Sequence, residues 1–184
     1  MHSVKRPECP CVFTSEFFRE LVAYLGADPS PIRPWWGWRK LAKQYPGLRR
    51  DIEQYIETAT TGDPAGAAVD MMLYFGSARE WAEKVIEQAQ TGNPPSAAVD
   101  MVRYCNSARE WAEGVIEHAQ TGNPAFWAYY MARHLGSPRE WAEGVIERAQ
   151  TGNPTLWAVD MVKYCGSARE WADRVAARMR QRCV

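Results

Sequence analysis

The chain has 184 residues, of which 46% are hydrophobic and 24% charged, a composition that is ordinary for a soluble domain. Its formal net charge is zero, but residues 51–173 hold 18 acids against 9 bases, whereas residues 1–50 and the last eleven residues are basic. No apolar run reaches membrane-spanning length, and the first residues lack the apolar core of a signal peptide. The odd number of cysteines, five, argues against a disulfide framework and predicts a cytoplasmic protein.

Residues 1–32 are predicted to form an N-terminal arm and a capping helix. The helix runs from Glu16 to Leu25 and is stopped by Gly26. The arm contains Cys9 and Cys11, which are weak metal candidates because a Cys-x-Cys pair supplies at most half of a zinc or iron–sulfur ligand set. We therefore predict no metal and no cofactor, and keep a metal-bearing accessory protein as a third interpretation.

Residues 33–62 read as a divergent repeat that is rich in basic and aromatic residues. Six bases and no acid lie between residues 33 and 50, interleaved with three tryptophans. Such a segment suits stacking on bases and pairing with phosphates, or contact with another copy of the chain. The alternative is that the tryptophans cover the open end of a helical stack. The candidate contact residues are Arg33, Trp35, Trp36, Trp38, Arg39, Lys40, Lys43, Arg49 and Arg50.

Residues 63–182 contain four near-identical 30-residue repeats, and a fixed period of this length indicates stacked copies of one small unit. In each copy an Asp or Asn followed by Pro predicts the start of a first helix. A Ser-x-x-Glu capping box then predicts the start of a second helix, as in Ser77/Glu80 and Ser167/Glu170. The repeats are 63–92, 93–122, 123–152 and 153–182.

These patterns predict an all-α fold, a right-handed stack of 30-residue helical hairpins (α-solenoid). The fourth copy illustrates the apolar stripe, with Trp157, Met161 and Cys165 on one helical face. The unit resembles the helical-hairpin solenoids to which tetratricopeptide repeats belong, in architecture only, because their spaced Trp, Gly, Tyr and Pro signature is absent. The resemblance implies an extended binding surface rather than an active site.

Comparison of the copies with one another identifies the positions that differ. The third repeat departs most, with Tyr130 in place of an aspartate and His134 in place of a tyrosine. An exposed aromatic patch with an arginine has the composition of an interface hot spot; a covered one would be core between hairpins. The predicted partner-binding residues are Phe126, Trp127, Tyr129, Tyr130, Arg133 and His134.

The recurrent aspartates are predicted to be structural. Asp70, Asp100 and Asp160 should pair with the arginines that begin the second helices, or with polar groups of the next repeat. Those arginines are Arg79, Arg109, Arg139 and Arg169.

The leading functional prediction is a non-catalytic protein-interaction or self-assembly module, in which copies could join head to tail. No catalytic residue is predicted, because spacing brings none of the three histidines near a nucleophile. The alternative is a nucleic-acid-binding protein that uses residues 33–50 and the arginine-rich C-terminus. A basic groove that collects Arg103, Arg133, Lys163 and Arg178 would favour this alternative.

Overall fold

A computed structural model describes Ala23 and residues 46–182 of the chain. The predictions made for the N-terminal arm, its capping helix and most of the divergent repeat lie outside these residues. The described part is helical, with no strand in it, which confirms the predicted all-α class. The chain divides into two compact units, Met1–Asn93 and Pro94–Val184.

The first unit contains three described helices. The first of them is the second helix of the divergent repeat, and its buried Ile52 and Ile56 belong to the core of the unit. The next described helix is the first helix of repeat 63–92; it begins in α-helical geometry and ends in a π-helical turn, Met71–Phe75. The helices are α1 (Pro46–Glu57), α2 (Pro64–Asp70, before the π turn) and α3 (Arg79–Gln88).

The second unit contains six helices arranged as three hairpins. Each first helix packs against the second helix of its own repeat, and the three first helices also pack side by side. The predicted helical-hairpin repeat is therefore present, while the right-handed sense of the stack stays a prediction. The helices are α4 (Pro94–Cys105), α5 (Arg109–His118), α6 (Pro124–His134), α7 (Arg139–Arg148), α8 (Pro154–Cys165) and α9 (Arg169–Arg182).

The core repeats with the sequence. One methionine of each first helix and one isoleucine of most second helices are fully buried, and the alanine three residues before each methionine has no exposed surface. Each buried Met or Ile contributes about 1.5–3 kcal/mol of hydrophobic stabilisation, and the alanines let neighbouring helices approach closely. These residues are Met71, Met101, Met131 and Met161, Ile56, Ile86, Ile116 and Ile146, and Ala68, Ala98, Ala128 and Ala158.

The predicted N-caps are confirmed where the structure gives the contact. The Oδ1 atom of Asn123 accepts a hydrogen bond from the backbone N–H of Phe126 at 3.1 Å, and Asn153 does the same for Leu156 at 3.2 Å. Asp63 caps α2 in the same way. Each such cap stabilises its helix by about 1 kcal/mol.

The first helices end in a left-handed residue. Gly76 and Gly166 have φ of 71° and 74°, and Asn106 adopts φ of 56° at the same position of the second repeat. The serine that follows donates its backbone N–H to the methionine carbonyl six residues earlier, as Ser167 does to Met161 at 3.2 Å. This bond spans one residue more than the 6→1 bond of a Schellman motif, so the helix closes in a wider turn.

The predicted capping boxes are wrong. The N-cap residues of α3, α5 and α7 are Ala78, Ala108 and Pro138, and none of these helix starts has a side-chain capping hydrogen bond. The hydroxyl of Ser77 instead donates to Glu53 Oε1 of the preceding helix at 2.6 Å. The recurrent serines are buried, and at Ser77 the hydroxyl that sequence alone assigns to its own helix bonds the preceding helix instead.

The glutamates of the supposed boxes still stabilise the helix starts. A hydrogen bond from its own backbone N–H lowers the pKa of Glu110, and Arg109 lowers it further. Glu140 behaves identically with Arg139. These carboxylates therefore complement the positive ends of their helices.

The arginines at these helix starts pair with glutamates. Arg109 Nη2 lies 2.9 Å from Glu110, and its Nε atom lies 3.4 Å from Glu113, an ion pair without direct hydrogen-bond geometry. Arg139 makes the same pair of contacts with its own helix. The predicted pairing with aspartates is therefore wrong for these two arginines, because a carboxylate one turn along the same helix is closer.

The same arginines connect successive repeats. Arg109 Nη1 donates to the carbonyl oxygen of Gly136 at 2.8 Å, and Arg139 donates to that of Gly166 at 3.1 Å. In the first unit Arg49 donates to Gly76 in the same way, at 3.3 Å. Each bond spans 27 residues and ties the start of one second helix to the end of the next first helix.

The Thr-Gly-Asn motif makes a second connection. Gly152 has φ of 77°, and a Cβ atom at this position would overlap the side chain of Asn123, the N-cap of the same repeat. Gly92 lies over Asp63 in the first unit, where Asp63 Oδ1 also accepts the backbone N–H of Asn93 at 3.3 Å. The recurrent glycine thus packs on the N-cap of its own repeat, and in the first copy that N-cap also bonds the start of the next.

Candidate ligand-binding face

The predicted partner-binding residues divide into a buried and an exposed group. Tyr129 is buried and stacks on Trp157 of the next repeat, with ring centroids 5.5 Å apart. Phe126 is half-buried and lies 4.7 Å from the same tryptophan. These rings form the interface between the third and fourth repeats, which agrees with the interpretation of this part of the patch as core.

The remaining residues of the patch reach the surface. Tyr130 is half-buried and lies 4.7 Å from the exposed His134, centroid to centroid. Trp127 contacts Tyr130 edge to face at 5.7 Å. Arg133 is exposed. The structure therefore supports both interpretations of the sequence, the core interpretation for two residues of the patch and the surface interpretation for four.

Cations from three repeats extend this surface into a row. Arg133 Cζ lies 4.0 Å from the ring centroid of Tyr164, and Lys163 Nζ lies 4.7 Å from the same centroid. Arg103 Cζ lies 5.7 Å from the centroid of Tyr130. These distances are those of cation–π contacts. We call the set the cationic–aromatic face: Arg103, Tyr104, Tyr130, Arg133, His134, Lys163 and Tyr164.

The positive charge of this face is not neutralised by ion pairs. Among residues 46–182, no salt bridge involves Arg103, Arg133 or Lys163, in contrast with Arg109 and Arg139 on the second helices. Arg133 donates instead to the hydroxyl of Tyr129, a hydrogen bond that raises the pKa of the guanidinium. Stacked arginines of this kind keep most donors free for carboxylate or phosphate groups.

The three cations differ in their nearest acid. Asp100 and Asp160 lie one turn before Arg103 and Lys163, and each interacts electrostatically with its cation. Burial raises the pKa of Asp100, and Arg103 offsets part of that rise. Arg133 has Tyr130 where the other repeats have an aspartate. The middle cation is therefore the one with the least compensation.

Sequence reasoning assigned no binding role to two of the rings. Tyr104 and Tyr164 are 56% and 46% exposed. The signal that could have identified them is their position, directly after the cations of a column that varies among the copies.

The basic residues predicted for nucleic acid are distributed over different parts of the molecule. Arg49 and Arg50 are exposed on α1, and Arg49 already bonds Gly76 and pairs with Glu53 at 3.5 Å. Arg178 lies on α9 and donates to the Glu147 carbonyl of a second helix. The other candidates, Arg33 to Lys43, lie outside the described residues. Three of the four cations expected in a basic groove gather on the cationic–aromatic face.

The described residues offer little support for metal chemistry. No group of three or more His, Cys, Asp or Glu side chains among them could hold a metal ion. Cys105 is buried, and burial raises the pKa of both its thiol and that of Cys165. The weak candidates Cys9 and Cys11 lie outside this part. Within it, no helix is both long and apolar enough to cross a membrane.

A cavity of about 150 Å³ lies between the end of α1 and α3, lined by apolar residues such as Ile56, Pro64 and Val85. Its titratable residue, Glu57, accepts a hydrogen bond from Trp81 Nε1 at 2.7 Å. The other polar side chains of its lining are those of Thr60, Gln88 and Gln90.

Comparisons with protein families, with characterised proteins and with solved structures found no match to this chain.

Proposed function

We propose that this protein is a non-catalytic helical-repeat module that binds a segment of another protein across the first helices of residues 94–182. One observation carries the proposal. Residues that recur from copy to copy, such as Arg109 and Asn123 (Asp63 in the first copy), make contacts within and between repeats. One position that differs among the copies places three exposed cations, Arg103, Arg133 and Lys163, on the cationic–aromatic face, where none of them forms a salt bridge.

The composition of the face supports this proposal. Tyrosine, tryptophan and arginine are the residues most enriched in interface hot spots, and here they lie on rigid helices rather than loops. Arg133, held by Tyr129 and stacked on Tyr164, is preorganised, so a ligand would lose little side-chain entropy on binding it.

Head-to-tail self-assembly has less support. Val159 is 53% exposed where Val99 is fully buried, which leaves an apolar surface on the fourth repeat. However, Ala177 occupies a position where the other copies carry a glutamate. The equivalent glutamate of the divergent repeat, Glu57, accepts a hydrogen bond from the indole N–H of Trp81 in the following repeat. A hairpin that docked on the fourth repeat would lack this bond, although Trp141 and Trp171 also stack without it.

Nucleic acid is the second candidate function. The gathering of Arg103, Arg133 and Lys163 beside exposed rings is the specific observation that favours it, because single strands are bound by cations and stacking platforms.

Parallel selections test the proposal. The full chain would be screened against a displayed random-peptide library and against a pool of random single-stranded oligonucleotides. The face variant replaces Arg103, Arg133 and Lys163 by glutamine, and the control variant replaces Lys84, Arg174 and Arg180 by glutamine. We expect the wild type and the control to enrich peptides that the face variant does not. Enrichment of oligonucleotides alone would support the second candidate, and enrichment of neither would reject both.

A further inference from the structure

The charge and periodicity of the cationic–aromatic face define the chemistry of its ligand. We propose that the face binds an extended peptide with an acidic side chain at every third residue, one carboxylate each for Arg103, Arg133 and Lys163. This inference rests on the proposed function and makes it more specific.

The spacing of the cations is the first argument. They occupy equivalent positions on α4, α6 and α8, which pack side by side. Packed helices lie about 8–10 Å apart. A polyproline II chain has three residues per turn and rises about 3.1 Å per residue, so side chains three apart lie on one side at about 9 Å intervals. A β-strand does not fit, because residues three apart point to opposite faces.

The exposed rings are the second argument. Tyr104, Tyr130 and Tyr164 lie beside the cations, one in each repeat. Proline-rich extended segments dock in grooves lined by aromatic residues. The two uncharged residues between successive acids of the ligand would therefore pack on tyrosine rings.

Two aspartates that lie next to the cationic–aromatic face favour a peptide over a nucleic acid. Asp100 and Asp160 lie one turn from Arg103 and Lys163. A phosphate backbone carries a charge on every nucleotide and would meet these carboxylates. A peptide with acids only at every third position can place uncharged residues there. Arg133, which lacks such a neighbour, is then the anchor of the site.

Fluorescence anisotropy with labelled peptides tests the inference on the full chain. The probe is a peptide of repeated Glu-Pro-Pro units, and the control is an isomer of the same composition with its glutamates adjacent. We expect the periodic peptide to bind at least about tenfold more tightly, which corresponds to about 1.4 kcal/mol. Increasing the salt concentration from about 50 to about 200 mM should weaken binding, since exposed charges are screened. Equal binding of the two isomers would overturn the spacing argument.

Single-site variants test the anchor. Arg133→Gln should weaken binding of the periodic peptide more than Arg103→Gln or Lys163→Gln. Thermal unfolding of each variant checks that it folds. This check matters most for Arg133→Gln, because Arg133 donates a hydrogen bond to the buried Tyr129. Equal effects of the three variants would refute the role of Arg133.

A third measurement separates this inference from the proposed function. Tighter binding of oligothymidylate than of the periodic peptide would overturn the choice of a peptide ligand. If neither probe binds, but the library selection enriches uncharged peptides that the face variant fails to enrich, the proposed function stands and the acidic ligand is excluded.

Discussion

Arg109 on α5 donates a hydrogen bond to the carbonyl oxygen of Gly136 at 2.8 Å while its guanidinium pairs with two glutamates of its own helix. One side chain thus fixes a helix start and holds the next repeat in register. Gly136 has φ of 74°, and this left-handed turn exposes its carbonyl oxygen to the preceding repeat. The bond recurs from Arg139 to Gly166.

Loss of this arginine should destabilise the protein. We expect Arg109→Ala to lower the free energy of unfolding by about 1 kcal/mol, because a charge-assisted hydrogen bond and two partly exposed ion pairs are removed. Arg169→Ala is the control, because Arg169 begins α9 but, among residues 46–182, has neither an ion pair nor a glycine carbonyl of a following repeat to bond. Urea unfolding measures both variants, and equal losses would show that the bond to Gly136 and the two ion pairs together contribute nothing.

Three glycines in different environments should respond differently to alanine. Gly114 lies within α5 with open space around it, so Gly114→Ala should stabilise by about 0.5–1 kcal/mol. Gly76 is left-handed with no neighbour within 4 Å, so its replacement should cost about 1–2 kcal/mol. Gly152 is left-handed and lies against Asn123. Its replacement also displaces an N-cap and should cost about 2–3 kcal/mol.

Thermal and urea unfolding of the three alanine variants would establish this order. The comparison holds the substitution constant and changes only the backbone conformation and the neighbouring atoms. A Gly152→Ala variant that is as stable as Gly76→Ala would show that Asn123 moves aside without loss.

Asp100→Asn should stabilise the protein at neutral pH. Burial raises the pKa of Asp100 above its ordinary value of 3.8, so the folded state binds the proton more tightly than the unfolded state does. Its ionisation therefore costs stability, and the cost grows as the pH rises through the folded pKa. The gain from asparagine should be largest at about pH 7 and should shrink toward about pH 4.

The same variant has a second readout. Burial raises the pKa of the Cys105 thiol, and the charge of Asp100 raises it further. Asp100→Asn should therefore lower that pKa, seen as a lower pH for the appearance of thiolate absorbance in the folded protein. The exposed Asp173→Asn controls for the loss of one negative charge. An unchanged pH profile of stability would contradict the proposed cost of ionising Asp100.

Tyr130→Asp restores the aspartate that the other repeats carry. On the peptide-binding proposal it places a carboxylate one turn from Arg133 and removes a ring, so binding of the periodic acidic peptide should weaken about tenfold or more. Asp160→Asn removes the corresponding acid beside Lys163 and should strengthen binding of this peptide. Anisotropy titrations at low salt measure both changes, and opposite signs would exclude electrostatic recognition at this face.

Much of the fold follows from local chemistry that the sequence displays. The Asn-Pro helix starts and the glycine helix ends were predicted because a cap such as Asn123 acts within three residues of itself. The capping boxes were mispredicted because a serine hydroxyl can serve its own helix or the preceding one. Burial of Ser77 against Glu53 decides between them, and burial depends on how the hairpins pack.

The candidate site was predictable only in part, for the same reason. Aromatic composition identified Phe126 to His134, but not which rings would be covered. Trp157 covers Tyr129, whereas Tyr164 stays open and receives Arg133. Contacts between side chains about 30 residues apart depend on how the repeats stack. The periodicity of the sequence shows that the repeats stack, but it does not give their relative orientation.

The constant 27-residue reach of the arginine bond has a genetic consequence. Recombination between the near-identical coding segments would add or delete thirty residues at a time, and each such event rebuilds the junction with an arginine opposite a left-handed residue, which is glycine in three copies and Asn106 in the second. The array can therefore lengthen or shorten in whole units without a non-folding intermediate. An insertion of any other length within a repeat would leave that guanidinium facing the wrong part of the backbone.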